Sequence, residues 1–372
     1  MTDGPVGVAV VGAGVISKQY LDNLTTFPDV RVVAVTDLVP EAAAARAAEY
    51  GIERHGSPDL ALDDPDVEIV LNLTIPSAHV AVDLAAIRAG KHVFSEKPIA
   101  LDRASGQALL AEATERGLRV GCAPDTFLGA GLQTARRVIE RGDIGVPLTA
   151  LTLFQVPGPE GWHPNPAFLY QRGAGPLFDM GPYYITALTQ IFGSFRRVAA
   201  IGSRSKATRV VGSGPRAGEE FDVEVPTHVS LLGQFDGGAS STSIFSFESP
   251  RLRMGFVEIT GTEAVLSIPD PNFFDGRLEI HRPGDEEGTP VATSGPANGR
   301  GLGVLDMARA IRAGVPHRAS GHLAYHVLDT MVSAAESIES GAFVELNSSA
   351  PVSAPVPEDW SPNEATLTGA SR

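Results

Sequence analysis

The sequence is poor in cysteine, in basic residues and in long apolar runs. Its 372 residues include one cysteine, Cys122, which excludes an intramolecular disulfide and a multi-cysteine metal site. The formal net charge is −15, so the chain lacks the excess of Lys and Arg that nucleic-acid binding requires. No apolar run approaches membrane-spanning length, and the N-terminal residues lack a basic segment followed by an apolar stretch. We therefore expect a cytoplasmic protein that binds neither nucleic acid nor a membrane.

The hydrophobic fraction of 43% is enough for a sizeable core, and the length suggests two domains. Up to residue 125, short apolar runs alternate with helical patterns, which predicts a doubly wound parallel sheet of the Rossmann type over residues 1–125. The predicted strands are Val6–Val11, Val30–Thr36, Ile69–Leu73, His92–Phe94 and Arg119–Cys122, and the predicted helices are Ser17–Thr25, Glu41–Tyr50, Ala78–Ala89 and Arg103–Arg116.

Strand patterns dominate residues 126–346, which predicts an open, mainly antiparallel sheet, hence an α/β domain followed by an α+β domain. The strands are expected at Leu148–Val156, Val198–Ser203, His228–Phe235, Ala239–Phe247, Arg253–Thr260 and Ala264–Ile268, and helices at Leu177–Phe192, Leu302–Ala313 and Leu323–Ser340. Gly202–Glu220 and Gly284–Gly301 are expected to be loops, and residues 347–372 an irregular, proline-containing tail.

A glycine turn follows the first apolar run. Gly12 and Gly14 fit the first two positions of the dinucleotide pattern Gly-x-Gly-x-x-Gly, and the small Ser17 stands at the third. Helical spacing begins with Val15 and Ile16, so the N–H groups of the helix start would face a pyrophosphate. The same turn occurs in proteins without a ligand, so it is a weak signal by itself.

The second apolar run ends in an acid. Asp37 lies 23 residues beyond Gly14, where a carboxylate accepts hydrogen bonds from ribose hydroxyls and repels a 2′-phosphate. Leu38 follows, where an NADP site would more naturally carry arginine. Together with the glycine turn, Asp37 favours NAD over NADP. The alternative is that Asp37 only caps the next helix.

Two further segments follow predicted strands, at the edge where open α/β sheets bind ligands. In Asn72–His79, Thr74 and Pro76 are expected to lie against the cofactor, and His79 either does so too or is a structural residue of the helix start. In Gly90–Pro98, Glu96 and Lys97 precede a proline. Lys97 is suited to bind a substrate hydroxyl and relay its proton. The alternative there is a surface ion pair.

These motifs together resemble the Gfo/Idh/MocA family of nicotinamide-dependent oxidoreductases. The resemblance spans about residues 5–346 and includes Arg136–Gly145, Gly173–Gly181 and Val257–Leu266. It implies a Rossmann domain, an open antiparallel sheet through which subunits often assemble, and oxidation or reduction of a carbinol carbon of sugars, inositols or related polyols.

The resemblance also implies a catalytic set. The family pattern Asp-x-Gly-x-His is here Asp179-Met-Gly-Pro-Tyr183, with a tyrosine in place of the histidine, and Lys97 completes the set. Tyrosine has an ordinary pKa near 10, so it is a poor base at neutral pH unless a cation such as Lys97 lowers its pKa. A Tyr–Lys pair is reasonable for hydride transfer. We therefore expect Lys97 and Tyr183 to handle the proton and Asp179 to orient them or bind substrate.

Other side chains are candidates for substrate contact. His163 is the competing base, and Trp162 beside it offers an aromatic face to a sugar ring, unless the pair serves only as packing. Asp125 and Tyr184 are further candidates. His228 is expected to be a sheet residue, and no spacing of His, Asp or Glu demands a metal.

The leading expectation is an NAD-dependent oxidoreductase of a sugar, polyol or related cyclic alcohol. One alternative is a redox-neutral lyase or glycosidase that uses NAD for transient oxidation, and another is a non-enzymatic NAD-binding regulator. A homodimer or homotetramer is expected, because six apolar strand residues have few helices to cover them: Ile244, Phe245, Phe247, Phe256, Val257 and Ile259.

Overall fold

The computed structural model describes residues 4–367. Its backbone forms two compact units. The first contains the chain up to Ala130, Gly295–Leu328 and the residues from Ser353 on, and the second contains Gly131–Ser294 and Asp329–Val352. This division differs from the boundaries drawn from the sequence, because segments beyond the second sheet belong to the first unit.

The first unit contains a parallel six-stranded sheet in the order β3-β2-β1-β4-β5-β6. Its strands are β1 (Val6–Val11), β2 (Val30–Thr36), β3 (Arg54–Gly56), β4 (Ile69–Asn72), β5 (His92–Ser95) and β6 (Val120–Cys122). All residues of β1 and β4 are buried, as is typical of a parallel sheet covered on both faces. The strand order reverses between β1 and β4, and ligands bind at such a switch point.

The helices are α1 (Val15–Leu24), α2 (Pro40–Glu49), α3 (Asp59–Asp63), α4 (His79–Arg88), α5 (Arg103–Glu115), α6 (Ala130–Glu140), α7 (Gly175–Phe192), α8 (Leu302–Ala313) and α9 (Gly321–Ser340). The predicted helices agree with these within two residues at each end. The elements β3 and α3 were not predicted. β3 is a three-residue edge strand, Arg-His-Gly, and such a segment has no apolar alternation that would predict a strand.

The second unit contains a nine-stranded sheet in the order β16-β15-β14-β13-β7-β12-β11-β8-β17. Only β7 and β12 pair in parallel, so the prediction of a mainly antiparallel sheet is confirmed. The strands are β7 (Pro147–Gln155), β8 (Phe195–Ser203), β11 (His228–Phe235), β12 (Ser240–Ser246), β13 (Arg253–Gly261), β14 (Val265–Ile268), β15 (Leu278–His281), β16 (Thr289–Val291) and β17 (Val344–Glu345).

Three short strands lie where loops were expected. β9 (Thr208–Val210) and β10 (Glu220–Asp222) form a separate two-stranded sheet at Gly202–Glu220, and β16 lies within Gly284–Gly301. Each is three residues long, too short for a period of two to stand out against the surrounding Gly, Ser and Pro.

The two faces of the nine-stranded sheet differ. Phe245, Phe247, Val257 and Ile259 are buried on the face that α7 contacts, so four of the six residues predicted to be uncovered are core residues. On the other face, the pairing of the strands aligns five residues, four of them apolar, in one row across five strands. They are Ile201, Ser230, Ile244, Leu153 and Phe256. Ile201 is 75% exposed.

The described part of the tail, residues 347–367, contains no helix or strand. Its last residues are fixed to the first unit at Asp29, which is fully buried just before β2. The Asp29 carboxylate accepts hydrogen bonds from the N–H groups of Thr366 and Leu367 and from Arg309, whose guanidinium lies over the Trp360 ring. Burial opposes ionisation, but these hydrogen bonds lower the pKa of Asp29 below its ordinary value.

We expect Asp29→Ala to destabilise the protein by about 3–5 kcal/mol, because breaking a buried ion pair leaves an uncompensated charge. A lowered midpoint of thermal unfolding should show this. Since the native pKa of Asp29 is depressed, its contribution is present above the ordinary aspartate pKa and is lost as the pH falls through the native pKa. The control Lys18→Ala removes only an exposed ion pair with Asp22 and should hardly change the midpoint. Equal effects of the two variants would contradict this account of Asp29.

Candidate functional site

The glycine turn connects β1 to α1. Gly12 has φ +108°, and a Cβ there would lie 2.7 Å from the carbonyl oxygen of Leu73, so only glycine fits. A Cβ at Gly14 would meet nothing within 4 Å, so this side of the turn is open for close approach of a ligand. Gly14 is the N-cap of α1 and no side chain caps the helix start. The turn therefore has the geometry that accommodates a pyrophosphate.

Asp37 is fixed at the end of β2. Its Oδ2 accepts a hydrogen bond of 2.8 Å from the N–H of Ala13, and its Oδ1 accepts one of 2.9 Å from Val39. Val39, not Asp37, is the N-cap of α2, and no side chain caps that helix. The cap interpretation is therefore wrong. A carboxylate has about four acceptor positions, so Asp37 retains capacity for the ribose hydroxyls.

Apolar side chains surround the open side of the turn. Val15 and Leu38 are each 88% exposed, and Ile75, after β4, is also exposed. Ile16 belongs to the first turn of α1 and is half-buried. Exposed apolar residues at three neighbouring loops of the switch point, an acceptor at Asp37 and space at Gly14 together fit a dinucleotide.

The turn after β4 is shaped by Asn72. Its Oδ1 accepts hydrogen bonds from the N–H and the hydroxyl of Thr74, and its Nδ2 donates to the His79 carbonyl and to Asp83. Asp83 is completely buried, and this burial raises its pKa to about 7. Pro76 then begins a short 3-10 turn. The side chain of Asn72, for which the sequence suggested no role, thus holds Thr74 in place.

His79 is buried, with both ring nitrogens facing carbonyl oxygens. Nδ1 lies 2.7 Å from the carbonyl oxygen of Pro98, and Nε2 lies 3.0 Å from that of Thr74. The ring therefore joins the turn after β4 to the segment after β5. Of the two interpretations of His79, this placement supports the structural one and not direct cofactor contact.

The segment after β5 begins with Glu96, which is buried, so a surface ion pair is excluded. Its Oε1 accepts a hydrogen bond of 2.8 Å from the Tyr20 hydroxyl, and its Oε2 accepts one of 2.9 Å from the N–H of Lys97. Burial raises the pKa of Tyr20 well above its ordinary value, so Tyr20 remains a donor. Glu96 thereby fixes the backbone from which the half-buried Lys97 side chain extends.

Asp125 differs from its expected role in substrate contact. It is fully buried, and its Oδ2 accepts hydrogen bonds of 2.9 Å from the N–H groups of Gly301 and Gly303. Burial raises its pKa. The carboxylate holds the start of α8, which no sequence spacing could have indicated, since the partners lie more than 170 residues apart.

In the second unit, α7 carries Asp179 and Tyr183 one helical turn apart. Asp179 is half-buried and Tyr183 is 5% exposed. Pro182, inside the helix, has no N–H to donate to the carbonyl four residues before it. The position of Tyr184 does not fit the predicted contact with substrate, because the side chain is buried. Its hydroxyl accepts a hydrogen bond of 3.0 Å from the N–H of Gly255, and burial together with the charge of Asp270 raises its pKa.

Trp162 and His163 lie on the loop between β7 and α7. Trp162 is 69% exposed, and the His163 ring contacts both Trp162 and Phe168 edge-on at 5.4 Å between centroids. His163 Nδ1 accepts a hydrogen bond of 3.0 Å from the N–H of Asn165. Because that donor is a backbone amide, the neutral ring carries its proton on Nε2. His163 therefore presents a donor, not a base, on its outer nitrogen.

Other sequence expectations concern metals, membranes and His228. Within the described residues, no group of three or more His, Cys, Asp or Glu is arranged to hold a metal, and no helix is long and apolar enough to cross a membrane. The His228 ring lies 3.2 Å from the hydroxyl of Ser230, two residues along β11, as expected for a sheet residue.

A parallel sheet in the 3-2-1-4-5-6 order, with an open glycine turn after β1 and an acid at the end of β2, defines a dinucleotide-binding fold of the Rossmann type. Residues 6–123 match the family described as "Oxidoreductase family, NAD-binding Rossmann fold", and residues 132–267 match the GFO/IDH/MocA C-terminal domain. The chain belongs to the Gfo/Idh/MocA family and is an NAD-binding oxidoreductase.

Curated relatives include trans-1,2-dihydrobenzene-1,2-diol dehydrogenase of Bos taurus, 26% identical over 82% of this chain and 86% of the relative. Inositol 2-dehydrogenase of Salmonella typhimurium is 35% identical over 37% of this chain and 43% of the relative. Among solved structures, levoglucosan dehydrogenase in complex with NADH and L-sorbose has a TM-score of 0.79 at 22% identity and covers 93% of this chain and 100% of its own. This last likeness shows a shared fold.

We predict that Asp37→Ala weakens NADH binding about ten- to hundredfold, since a hydrogen bond to a charged group contributes about 1.5–3 kcal/mol. The variant should also have a smaller preference for NADH over NADPH, because the repulsion between the Asp37 carboxylate and a 2′-phosphate is lost. Asp37→Asn keeps an acceptor without the charge, so it should narrow the preference with a smaller loss of NADH affinity. Calorimetric titration of both nucleotides measures this. An unchanged NADH-to-NADPH affinity ratio in Asp37→Ala would show that Asp37 does not select the cofactor.

Proposed function

We propose that this enzyme interconverts the carbinol and carbonyl forms of a ring carbon in a sugar, polyol or related cyclic diol. The observation that carries this proposal is that Asp179 and Tyr183 lie one turn apart on α7. The resemblance to the Gfo/Idh/MocA family assigns its catalytic pair to these two positions. The names of the relatives, which act on a dihydrobenzenediol and an inositol, support the substrate class.

The proton is assigned to Tyr183 and Lys97. In the oxidative direction, the Tyr183 phenolate accepts the hydroxyl proton, Lys97 donates a hydrogen bond to the same oxygen, and Asp179 orients the substrate. A nicotinamide cofactor held by the first unit would supply the hydride acceptor for this oxidation. The glycine turn, Asp37 and the loop from Thr74 to Pro76 hold the cofactor, with Val15, Ile16 and Leu38 against it.

Between the two candidate bases, the geometry of His163 favours Tyr183. A base needs a lone pair directed at the substrate, and the Nδ1 lone pair of His163 is occupied by the N–H of Asn165. Nε2–H remains a donor in both the neutral and the charged ring. His163 and Trp162 are therefore proposed to bind the substrate, through a hydrogen bond and an aromatic face.

Wild-type activity with myo-inositol, D-glucose, levoglucosan and trans-1,2-cyclohexanediol, followed as NADH absorbance at 340 nm, tests the reaction class. NADH should accumulate with at least one of these ring alcohols. Conversion of a substrate without NADH accumulation would instead indicate the redox-neutral alternative. Binding of NADH with no conversion of any substrate would indicate a non-enzymatic protein.

Tyr183→Phe should lower kcat by about 10²- to 10⁴-fold, the usual loss on removing a general base, while the Kd for NADH stays unchanged. His163→Gln should raise KM about tenfold, as for one lost hydrogen bond. The pH profile of kcat for the wild type should show no limb near 6.5, the ordinary pKa of imidazole. Loss of turnover in His163→Gln with activity kept in Tyr183→Phe would reverse the assignment.

The proposed assembly is a homodimer formed through the outer face of the nine-stranded sheet. Four of its apolar side chains are exposed there: Ile201, Leu232, Leu151 and Phe256. Strand register places Ile201 and Phe256 in one cross-strand row and Leu232 and Leu151 in the adjacent row of the same face. The acidic composition and single cysteine support a cytoplasmic location, which fractionation of the source cells would test.

Ile201→Glu combined with Leu232→Glu should convert the dimer to a monomer, because two charges would be buried at the interface without partners. Light scattering at micromolar concentration measures the mass. The control Val210→Glu adds a charge at an exposed apolar residue of β9, outside this face, and should leave the dimer intact. A wild-type monomer, or a double variant that remains dimeric, would contradict the proposed interface.

A further inference from the structure

Arg209, on β9, is a buried cation between two carboxylates. Its Nη1 contacts Oε1 of Glu160, its Nη2 lies 2.8 Å from Oε1 of Glu248, and its guanidinium lies 5.2 Å from the centre of the Tyr170 ring. Only 7% of Arg209 is exposed. The sequence predicts a loop here and gives Arg209 no role. The β-branched run from Thr208 to Val211 around it was the available signal.

Both carboxylates have further partners. Tyr170, which is itself fully buried, donates a hydrogen bond from its hydroxyl to Oε2 of Glu160. Glu248 accepts hydrogen bonds from the N–H and hydroxyl of Ser205 and from the hydroxyl of Thr227. Although burial opposes ionisation, these bonds and the charge of Arg209 lower the pKa of Glu248 to about 2. Glu248 therefore remains charged throughout the physiological pH range.

Glu160 connects this cluster to the aromatic loop. It lies in the 3-10 turn Pro159–Gly161, and the N–H groups of Trp162 and His163 both donate to the carbonyl of Pro159, at 3.2 and 2.8 Å. The N–H of Gly212, near β9, donates to the Glu160 carbonyl at 2.8 Å. Glu160 is thus held by both side chain and backbone immediately before the exposed Trp162 ring.

A buried ion pair is weak evidence for stability, because desolvation of the charges offsets most of their attraction and apolar residues often replace them without loss. Its fixed, forked geometry instead gives orientation. The rings of Trp162 and Phe168 both contact the His163 ring, and the turn at Glu160 fixes the backbone from which Trp162 and His163 extend.

We propose that Arg209, acting through Glu160, is a positioning residue that presents Trp162 and the Nε2–H of His163 to the substrate. The inference rests on the proposed function and narrows its substrate class. A rigid aromatic face beside one donor suits a ring alcohol with an apolar C–H face and an oxygen acceptor, in preference to an open-chain polyol.

Glu160→Gln tests this proposal, because it removes the charge on the loop and preserves the shape of the side chain. The KM for the ring alcohol that the wild type oxidises fastest should rise at least tenfold, with kcat changed less and the Kd for NADH unchanged. The preference for that ring over sorbitol, an open-chain polyol, should shrink. Arg209→Lys, which keeps the buried charge and loses the fork, should act in the same direction and serves if Glu160→Gln does not fold. The control Arg141→Lys alters an exposed pair with Asp143 and should change none of these values.

A second readout follows the loop itself. The chain has two tryptophans, so Trp360→Phe leaves Trp162 as the sole tryptophan, which excitation at the red edge of the absorption band selects over the tyrosines. In this background, Glu160→Gln should lower the fluorescence anisotropy of Trp162 and increase its quenching by iodide. Unchanged anisotropy would overturn the proposal, and so would lower anisotropy with unchanged KM and ring preference. If the wild type oxidised none of the alcohols, the proposed function would fail, and the anisotropy would still decide whether Arg209 orders the loop.

Discussion

Hydrogen bonds between side chains and loop backbone determine the shape of the carboxyl edge of the parallel sheet. Asn72 and His79 hold the turn after β4, Asp37 holds the glycine turn, and Asp125 holds the start of α8. Loops ordinarily satisfy their polar backbone groups with water. Here protein groups take the place of water, so the protein itself holds these turns and binding a ligand loses less ordering entropy.

The two units fix their candidate residues by different means. The first uses mostly side chain to backbone hydrogen bonds, in which a neutral amide or a single carboxylate suffices. The second places Asp179 and Tyr183 on a helix, whose period sets their spacing, and uses the cluster around Arg209 for the loop. The helix backbone sets the position of residue 183. A tyrosine can therefore stand there, where the family pattern has a histidine, without a change in its spacing from Asp179.

The sequence predicted the elements with a strong period and missed those without one. Val6–Val11 and His228–Phe235 are observed with the predicted bounds, because six and eight residues of apolar or alternating pattern are unambiguous. The glycine turn and Asp37 lie at the ends of β1 and β2, as local spacing predicted, and their role in cofactor binding stays a prediction. Asp125 and Tyr184 were misassigned because long-range contacts with Gly301, Gly303 and Gly255 decide their positions, and a linear pattern does not encode such contacts.

The segments of the first unit are far apart in the chain, and this affects the order in which it is completed during synthesis. A ribosome delivers the six parallel strands first, but the buried carboxylate of Asp29 bonds to Arg309 and to Thr366 and Leu367. The nascent sheet therefore emerges with one of its core acids still hydrated. The second unit, apart from Asp329–Val352, is translated before that acid can lose its water. The first unit is thus completed only after Thr366 and Leu367 have left the ribosome.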